Sequence, residues 1–440
     1  MSASELETIV APATPVGRSA LAIVRIDGPR STEILLRMTG SGMPDVRSAT
    51  LTQLKDIDEC IVVRYAAPHS FTGNDLVELT LHGNPLLVGR VIETAVSLGA
   101  RVAEPGEFTE RAVLNGKLDL IQAESIGNLI NARTPLQAKL SLGNLEGTLS
   151  RTAASLREAL LFVISRLEAA LDFSEEGYEF ISRDDLRSRI ELAVRQTSSL
   201  VETYRRGRAS TAGLTLVILG LPNAGKSTLL NRLVGTDRAI VTPIPGTTRD
   251  IVSETIEMGG LPVTILDTAG LRASRDIVET IGIDRARVAG RAADIVLYLV
   301  DATIGLTDQD RSELAAFTEK DLVVVHTKID LAAAPSDTPG ISVTADLGID
   351  TLLAGLDDLV QERFAAPEGS AVIVNERQRQ AVVESENALR AALASIDAGM
   401  DEQIVLVDLY RASTSLGLLM GAITRDDVFT EIFSKFCIGK

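Results

Sequence analysis

The 440-residue sequence predicts a multidomain chain of α/β and α type: a small α+β N-terminal domain, a helical domain, and an inserted domain with a mostly parallel sheet. Three observations predict it. Proline is frequent up to Pro135, absent until Pro222, frequent again to Pro367, and absent thereafter. The proline-free stretches "LSRTAASLREALLFVISRLEAALDF" and "NERQRQAVVESENALRAALASI" place apolar residues at three- and four-residue steps, the period of a helix face. Between them, short β-rich runs recur at helix-length intervals, the pattern of a parallel sheet with crossover helices.

Taken in order, "ALAIVRI" (20–26) and "DLVELTLHG" (75–83) read as strands, and "PLLVGRVIETAVSLGA" reads as a helix ending at Gly99. These define a domain over 1–116. The helical domain is expected over 117–210 and 367–440. The insert, 211–366, carries the runs "LTLVILG" (214–220), "LPVTILD" (261–267), "DIVLYLV" (294–300) and "DLVVVHT" (321–327). No long repeat or low-complexity tract interrupts this order.

Composition narrows the class. Apolar residues make up 45%, which argues against disorder, and with 3% aromatics and no Trp the core must be aliphatic. The two cysteines, Cys60 and Cys437, cannot build a disulfide framework, which fits a reducing cytoplasm. "MSASELETIV" lacks the basic and apolar regions of a signal peptide. No apolar run approaches the ~20 residues of a membrane helix. The formal charge of −17 repels nucleic acid at long range, so an RNA partner needs a local basic patch. "YRRGR" (204–208) is either such a patch or a solvated linker face.

"GLPNAGKST" follows the strand 214–220 and opens a helix, with the spacing Gly-x4-Gly-Lys-Ser from Gly220 to Ser227. Its glycines let backbone N–H groups wrap phosphate oxygens at a helix N-terminus. Asn223, Ala224, Gly225, Lys226, Ser227 and Thr228 are therefore candidate nucleotide contacts. Lys226 would reach the β and γ phosphates, and Ser227 would ligate Mg²⁺. "GTTRD" follows in a loop, with Thr248 a candidate second Mg²⁺ ligand. "DTAG" supplies Asp267, Thr268, Ala269 and Gly270: Asp267 for the metal through water, Gly270 for an N–H to the γ-phosphate. "TKID" brings Thr327, Lys328 and Asp330, whose carboxylate can accept both N–H groups of a guanine edge. The order and strand-end placement of these elements specify GTP rather than ATP. Thr327 stands where Asn is usual, which predicts some weakening of nucleotide binding. The last guanine loop is placed at "VTADLG", with Thr344 and Ala345.

Hydrolysis poses a separate problem. Many GTPases carry a water-orienting Gln directly after DxxG, but here that position is Leu271. Glu279 in "RDIVETIG" is the best substitute on its position, or else a first-turn helix residue. Arg249 and Arg272 read as solvated surface. The Asn223 carbonyl can help bind a monovalent cation beside the phosphates.

"GLPNAGKST", "GTTRD", "DTAGLR" and the terminal "FCIGK" together resemble the tRNA modification GTPases of the MnmE (TrmE) family. "TIVAPATPVGRSALAIVRIDG", "SFTGNDLVEL" and "AEPGEFTERAVLNGKLDLIQAES" extend the resemblance over the whole chain. It implies an N-terminal folate-binding and dimerisation domain, and a G domain inserted in a helical one. It further implies a homodimer whose G domains associate in potassium to hydrolyse GTP. With the FAD-dependent partner MnmG, as a heterotetramer, members add an aminomethyl or carboxymethylaminomethyl group to C5 of a tRNA wobble uridine. A 5-formyl or 5,10-methylene tetrahydrofolate is the implied folate.

Carried onto this sequence, the resemblance puts K⁺ at Asn223, Thr242, Ile244 and Thr247, with Thr242 and Thr247 also at the nucleotide. It puts Mg²⁺ at Ser227 and Thr248, the water-orienting carboxylate at Glu279, and folate at Arg25, Glu78, Lys117 and Lys440. From the residues alone, Glu78 can accept paired pterin N–H groups, and Arg25 and Lys117 can meet an anionic tail. Cys437 reads either as a nucleophile or general acid/base once a thiolate, or as a hydrophobe docking the tail with Phe433 and Phe436. Two alternatives remain at this point: a ribosome-assembly GTPase switch, and a folate enzyme that acts without RNA.

Overall fold

The computed structural model describes residues 7–173, 180–235, 238, 253–267, 288–317, 320–367, 369–421, 432–434, 436 and 439. They fall into two units: Met1–Gly127 with Asn144–Ser165 and Leu409–Lys440, and Asn128–Gly143 with Arg166–Asp408.

The first unit begins with β1 (Ile9–Pro12), β2 (Leu21–Asp27), α1 (Ser31–Thr39), β3 (Thr50–Leu54), β4 (Asp58–Tyr65), β5 (Leu76–His82), α2 (Pro85–Ser97) and β6 (Arg101–Val102). The strands form one sheet in the order β3-β4-β5-β2-β1-β6. All pairs are antiparallel except β1 with β6. Alternation along the strands sends Val24, Ile26, Val62, Leu79 and Leu81 into a core with Ile34 and Leu35 of α1 and Val91 and Ala95 of α2. The Asn84 side chain caps the start of α2, ahead of Pro85 at a position that needs no N–H.

Next come α3 (Glu107–Leu114), α4 (Leu120–Ile130), α5 (Pro135–Leu145) and α6 (Thr148–Asp172). A buried ionic network ties α3 to the sheet. Arg111 pairs with Asp27 at 2.9 Å and with Glu107 at 2.8 Å, and all three side chains are almost fully buried. Asp27 also accepts from the Thr72 hydroxyl and from Asn74 Nδ2, so it pins the 70–74 loop. Burial pushes the Asp27 carboxyl above its ordinary value, against the pull of Thr72, Asn74 and Arg111.

The C-terminal tail docks within this unit. Phe433 packs with Leu120 and Ala123. Gly439, at φ +92°, lies so close to β1 that a Cβ would fall 1.9 Å from the Pro12 carbonyl oxygen. Only glycine fits there.

In the second unit α7 (Arg183–Glu202), capped by Ser182, leads into α8 (Tyr204–Ala212). Then follow β7 (Leu214–Gly220), α9 (Lys226–Val234), β8 (Ser253–Met258), β9 (Leu261–Asp267), β10 (Ile295–Asp301), α10 (Asp308–Leu314), β11 (Asp321–Thr327), β12 (Gly340–Ile341) and α11 (Ile349–Phe364). The sheet order is β12-β11-β10-β7-β9-β8, parallel except for the β8–β9 pair. Its central strands are buried on both faces and correspondingly rich in Val, Ile and Leu. α12 (Glu376–Asp397) packs along α7, and α13 (Glu402–Met420) closes the helical part.

The solvated-face reading of "YRRGR" holds in part: Arg205 and Arg206 are exposed, though each also has a partner. The segment opens α8, and its arginines are engaged by the adjoining α/β part. Arg205 pairs with Asp321 and stacks over the Phe364 ring at 4.6 Å. Arg206 donates to the Glu362 carbonyl at 3.0 Å, and Arg208 pairs with Asp294 at 2.6 Å.

Candidate nucleotide site and a second site on the N-terminal sheet

Strand order reverses at β7, with β9 on one side and β10 on the other. Ligands in open α/β sheets bind beyond the carboxyl ends of strands at such a point. The segment 220–227 lies there. Gly220 (φ +135°) has no room for a Cβ, which would meet the Leu299 carbonyl oxygen at 2.3 Å. Asn223 (φ 64°) and Gly225 (φ 90°) are also left-handed, and their turns bring the chain into α9. Ser227 and Thr228 are exposed in the first turn of α9, where backbone N–H groups lack helical partners and the dipole favours anions. Lys226 folds back over the loop, its Nζ donating to the Gly220 and Leu221 carbonyls at 2.8 Å each.

The other strand ends converge on this loop. Register pairs Ile218 of β7 with Asp267 of β9, and Asp301 of β10 with Thr327 of β11. Thr327 is buried, and its hydroxyl is 3.0 Å from the Ala224 carbonyl oxygen and 3.3 Å from that of Val300. The start of the "TKID" segment is thereby tied across β10 to the phosphate loop. Lys328 (φ 61°) follows, and Asp330 is exposed. The Ile329 N–H donates to the Ile341 carbonyl, which brings the 342–347 turn alongside. In that turn Ala345 N–H donates to Ser342 Oγ, Thr344 is within 3.2 Å of the same hydroxyl, and Asp346 pairs with Arg232 of α9. Thr242, Ile244, Thr247, Thr248, Thr268, Ala269, Gly270, Glu279, Cys437 and Lys440 lie outside the described residues.

A second cluster sits on the open face of the N-terminal sheet. Arg25 and Glu78 are opposite one another on β2 and β5, with Arg25 Nε 2.8 Å from Glu78 Oε1. The Tyr65 hydroxyl donates to Glu78 Oε2 at 3.4 Å, and the Arg25 guanidinium lies 5.4 Å from the Phe71 ring centroid. Burial and the neighbouring Glu78 carboxylate raise the Tyr65 phenol, so it stays a donor. Lys117 donates to the Pro68 carbonyl at 3.1 Å, on the loop that carries Phe71. Gly439 abuts Pro12, which pairs with Val24, one residue from Arg25. Sequence reasoning missed Tyr65 and Phe71. Their only signal was an aromatic at a strand end and one in the loop just before β5.

Among the described residues no group of three or more His, Cys, Asp or Glu side chains can hold a metal ion. No helix among them is long and apolar enough to cross a membrane.

A phosphate loop at the switch point of a parallel sheet, tied to a TKID strand end, defines a P-loop GTPase. The family model "GTP-binding protein TrmE N-terminus" matches residues 8–117, and "MnmE helical domain" matches 120–437. The chain is 40% identical to the tRNA modification GTPase MnmE of Koribacter versatilis, with 99% of each chain covered. It is 38% identical to the MnmE of Aquifex aeolicus, covering 99% of this chain and 100% of that one. It is 40% identical to the MnmE of Salinibacter ruber, again covering 99% and 100%. The chain belongs to the MnmE family of tRNA modification GTPases.

Proposed function

We propose that the chain hydrolyses GTP in the cytoplasm to drive installation of an aminomethyl-type group on C5 of a tRNA wobble uridine, acting as a homodimer with the FAD-dependent partner MnmG. The observation that carries the modification half of this reading is the second cluster. Gly439 abuts Pro12 on the sheet that also holds Arg25 and Glu78, which supports a role for the C-terminal residues at that sheet. A carboxylate and cations gathered on one sheet face fit a folate-type ligand, which a switch acting only through GTP does not require.

The residues fit the groups the reading requires. A carboxylate on a strand face, braced by Arg25 and Tyr65, can accept the paired N–H groups of a pterin. Arg25 would stay with Glu78 at the pterin end, and Lys117 and Lys440 would supply positive charge for a folate tail. The bound tetrahydrofolate derivative supplies carbon at the one-carbon level. Ser227 and Thr248 would hold Mg²⁺. Asn223, Thr242, Ile244 and Thr247 would hold K⁺ beside the phosphates, in the role an arginine finger fills elsewhere. Glu279 would orient the attacking water, and Cys437 would act on the uridine or on the one-carbon adduct.

Nucleoside mass spectrometry of tRNA from cells lacking the chain, beside a complemented control, tests the reading. Loss of the wobble group with recovery on complementation is expected. Unchanged modification would leave a GTP-driven assembly switch. Equal GTPase rates in potassium and sodium would remove the potassium element alone.

A further inference from the structure

The end of β10 carries a carboxylate that the nucleotide site as described does not use. Asp301 is held rigidly. Its Oδ1 accepts the Thr303 N–H at 2.9 Å and the Thr303 hydroxyl at 2.6 Å, and its own carbonyl accepts the N–H groups of Ile304 and Gly305. Its Oδ2 receives Lys328 Nζ at 2.5 Å. The Asp301 side chain is 10% exposed and that of Lys328 37%, so a fixed acceptor holds a side chain that would otherwise be mobile.

Lys328 needs such a hold. It adopts φ 61°, a left-handed conformation that is unfavourable for a residue with a side chain. It stands between Thr327, tied to the phosphate loop, and Asp330. Its carbonyl accepts the N–H groups of Leu331 and Ala332, so its conformation sets the path of the turn that carries Asp330. A free lysine side chain has many rotamers, and holding it in one of them costs entropy. Anchoring it before ligand arrives removes that cost from binding.

We propose that Asp301 is a positioning residue for base recognition: by anchoring the Lys328 ammonium at the end of β10 it fixes the lysine stem beside the base and keeps Asp330 aimed at the guanine edge. The proposal rests on the reading of 327–330 as the guanine segment. Asp301→Asn keeps the shape and the contacts to Thr303 while removing the charge.

The test uses the full chain and a fluorescent GDP. Asp301→Asn is expected to weaken binding about five- to tenfold, chiefly through faster release. The loss appears in KM more than in kcat, and raised ionic strength narrows the gap to wild type. In a Lys328→Met background the same change is expected to add less than twofold. Asp330→Asn in the wild-type background separates the two levels. If it leaves GDP affinity intact, the guanine-segment reading fails and the proposal with it. If it weakens GDP binding while Asp301→Asn does not, the proposal alone fails. An Asp301→Asn effect of equal size with and without Lys328 also overturns it, because Asp301 would then act through another group.

Discussion

Thr327→Val removes one buried hydroxyl and leaves the side-chain shape. In the native protein that hydroxyl donates to the Ala224 carbonyl at 3.0 Å, with the Val300 carbonyl at 3.3 Å as a second acceptor. It has one proton to give, so the variant loses one neutral hydrogen bond, a net ~1 kcal/mol. Ala224 is buried, and its carbonyl then lacks a donor from β11, which brings the expected cost to about 1–1.5 kcal/mol. The cost falls on the arrangement in which phosphate loop and guanine segment are joined. If nucleotide binds only that arrangement, affinity drops by the same factor, about five- to tenfold. Stopped-flow release of a fluorescent GDP reads this directly. Thr327→Ser keeps the donor and should release at close to the wild-type rate. A Thr327→Val protein with a lowered melting temperature and an unchanged release rate would refute the reasoning, since the hydroxyl would then serve only the core.

Three further outcomes are expected. Gly439→Ala should lift the tail off β1 at a cost of roughly 1–3 kcal/mol, because it adds a clash at a left-handed position; hydrogen exchange at Val10, Ala11 and Ala13 should quicken, and unchanged exchange would show that the tail does not hold that strand. Burial, aided by Asp58 and Glu59, pushes the Cys60 thiol up to about 12; peptide mapping after iodoacetamide at pH 8 should find it unmodified in the native protein and modified after unfolding. Its contribution to stability is present below pH 9.0, its ordinary value, and is lost as pH rises towards about 12. Burial opposes ionisation of Glu107, yet hydrogen bonds from Arg101, the Glu104 N–H and Arg111 outweigh it and hold the carboxyl below its ordinary 4.5. Its stabilisation is therefore present above pH 4.5 and lost as pH falls through the depressed value, so acid titration of Glu107→Gln should show a shallower loss of stability there.

The central strands were legible because a strand buried on both faces must be a β-branched and aliphatic run. β7, β9 and β11 fall where those runs stand. β10 begins one residue later than "DIVLYLV" suggests: Asp294 N–H still donates to the Thr215 carbonyl, but its side chain takes the Thr215 N–H and Arg208. The phosphate loop was readable because its chemistry is local. What escaped notice depends on register between distant segments. Asp301 meets Lys328 only through the β10–β11 pairing, and Tyr65 meets Glu78 only through β4–β5. The partners of the α8 arginines, Asp294 and Asp321, lie far along the chain and leave no local signal in "YRRGR".

The chain leaves the helical part through α8 and re-enters it at 371–374, and these two passages are stitched together. Ile373 N–H donates to the Thr203 hydroxyl, the Thr211 hydroxyl lies 3.3 Å from the Val374 carbonyl oxygen, and the Gly207 backbone presses on Ile373, where a Cβ would sit 2.1 Å from its carbonyl oxygen. Two ends held side by side are the geometry at which one fold can be spliced into a loop of another with little disturbance to its host. Excising the stretch from β7 to α11 and rejoining the flanks by a short turn is therefore expected to leave α7 and α12 paired, which a cooperative helical melt of the shortened chain would show. New termini can be opened at an exposed turn such as 333–337 without breaking either seam.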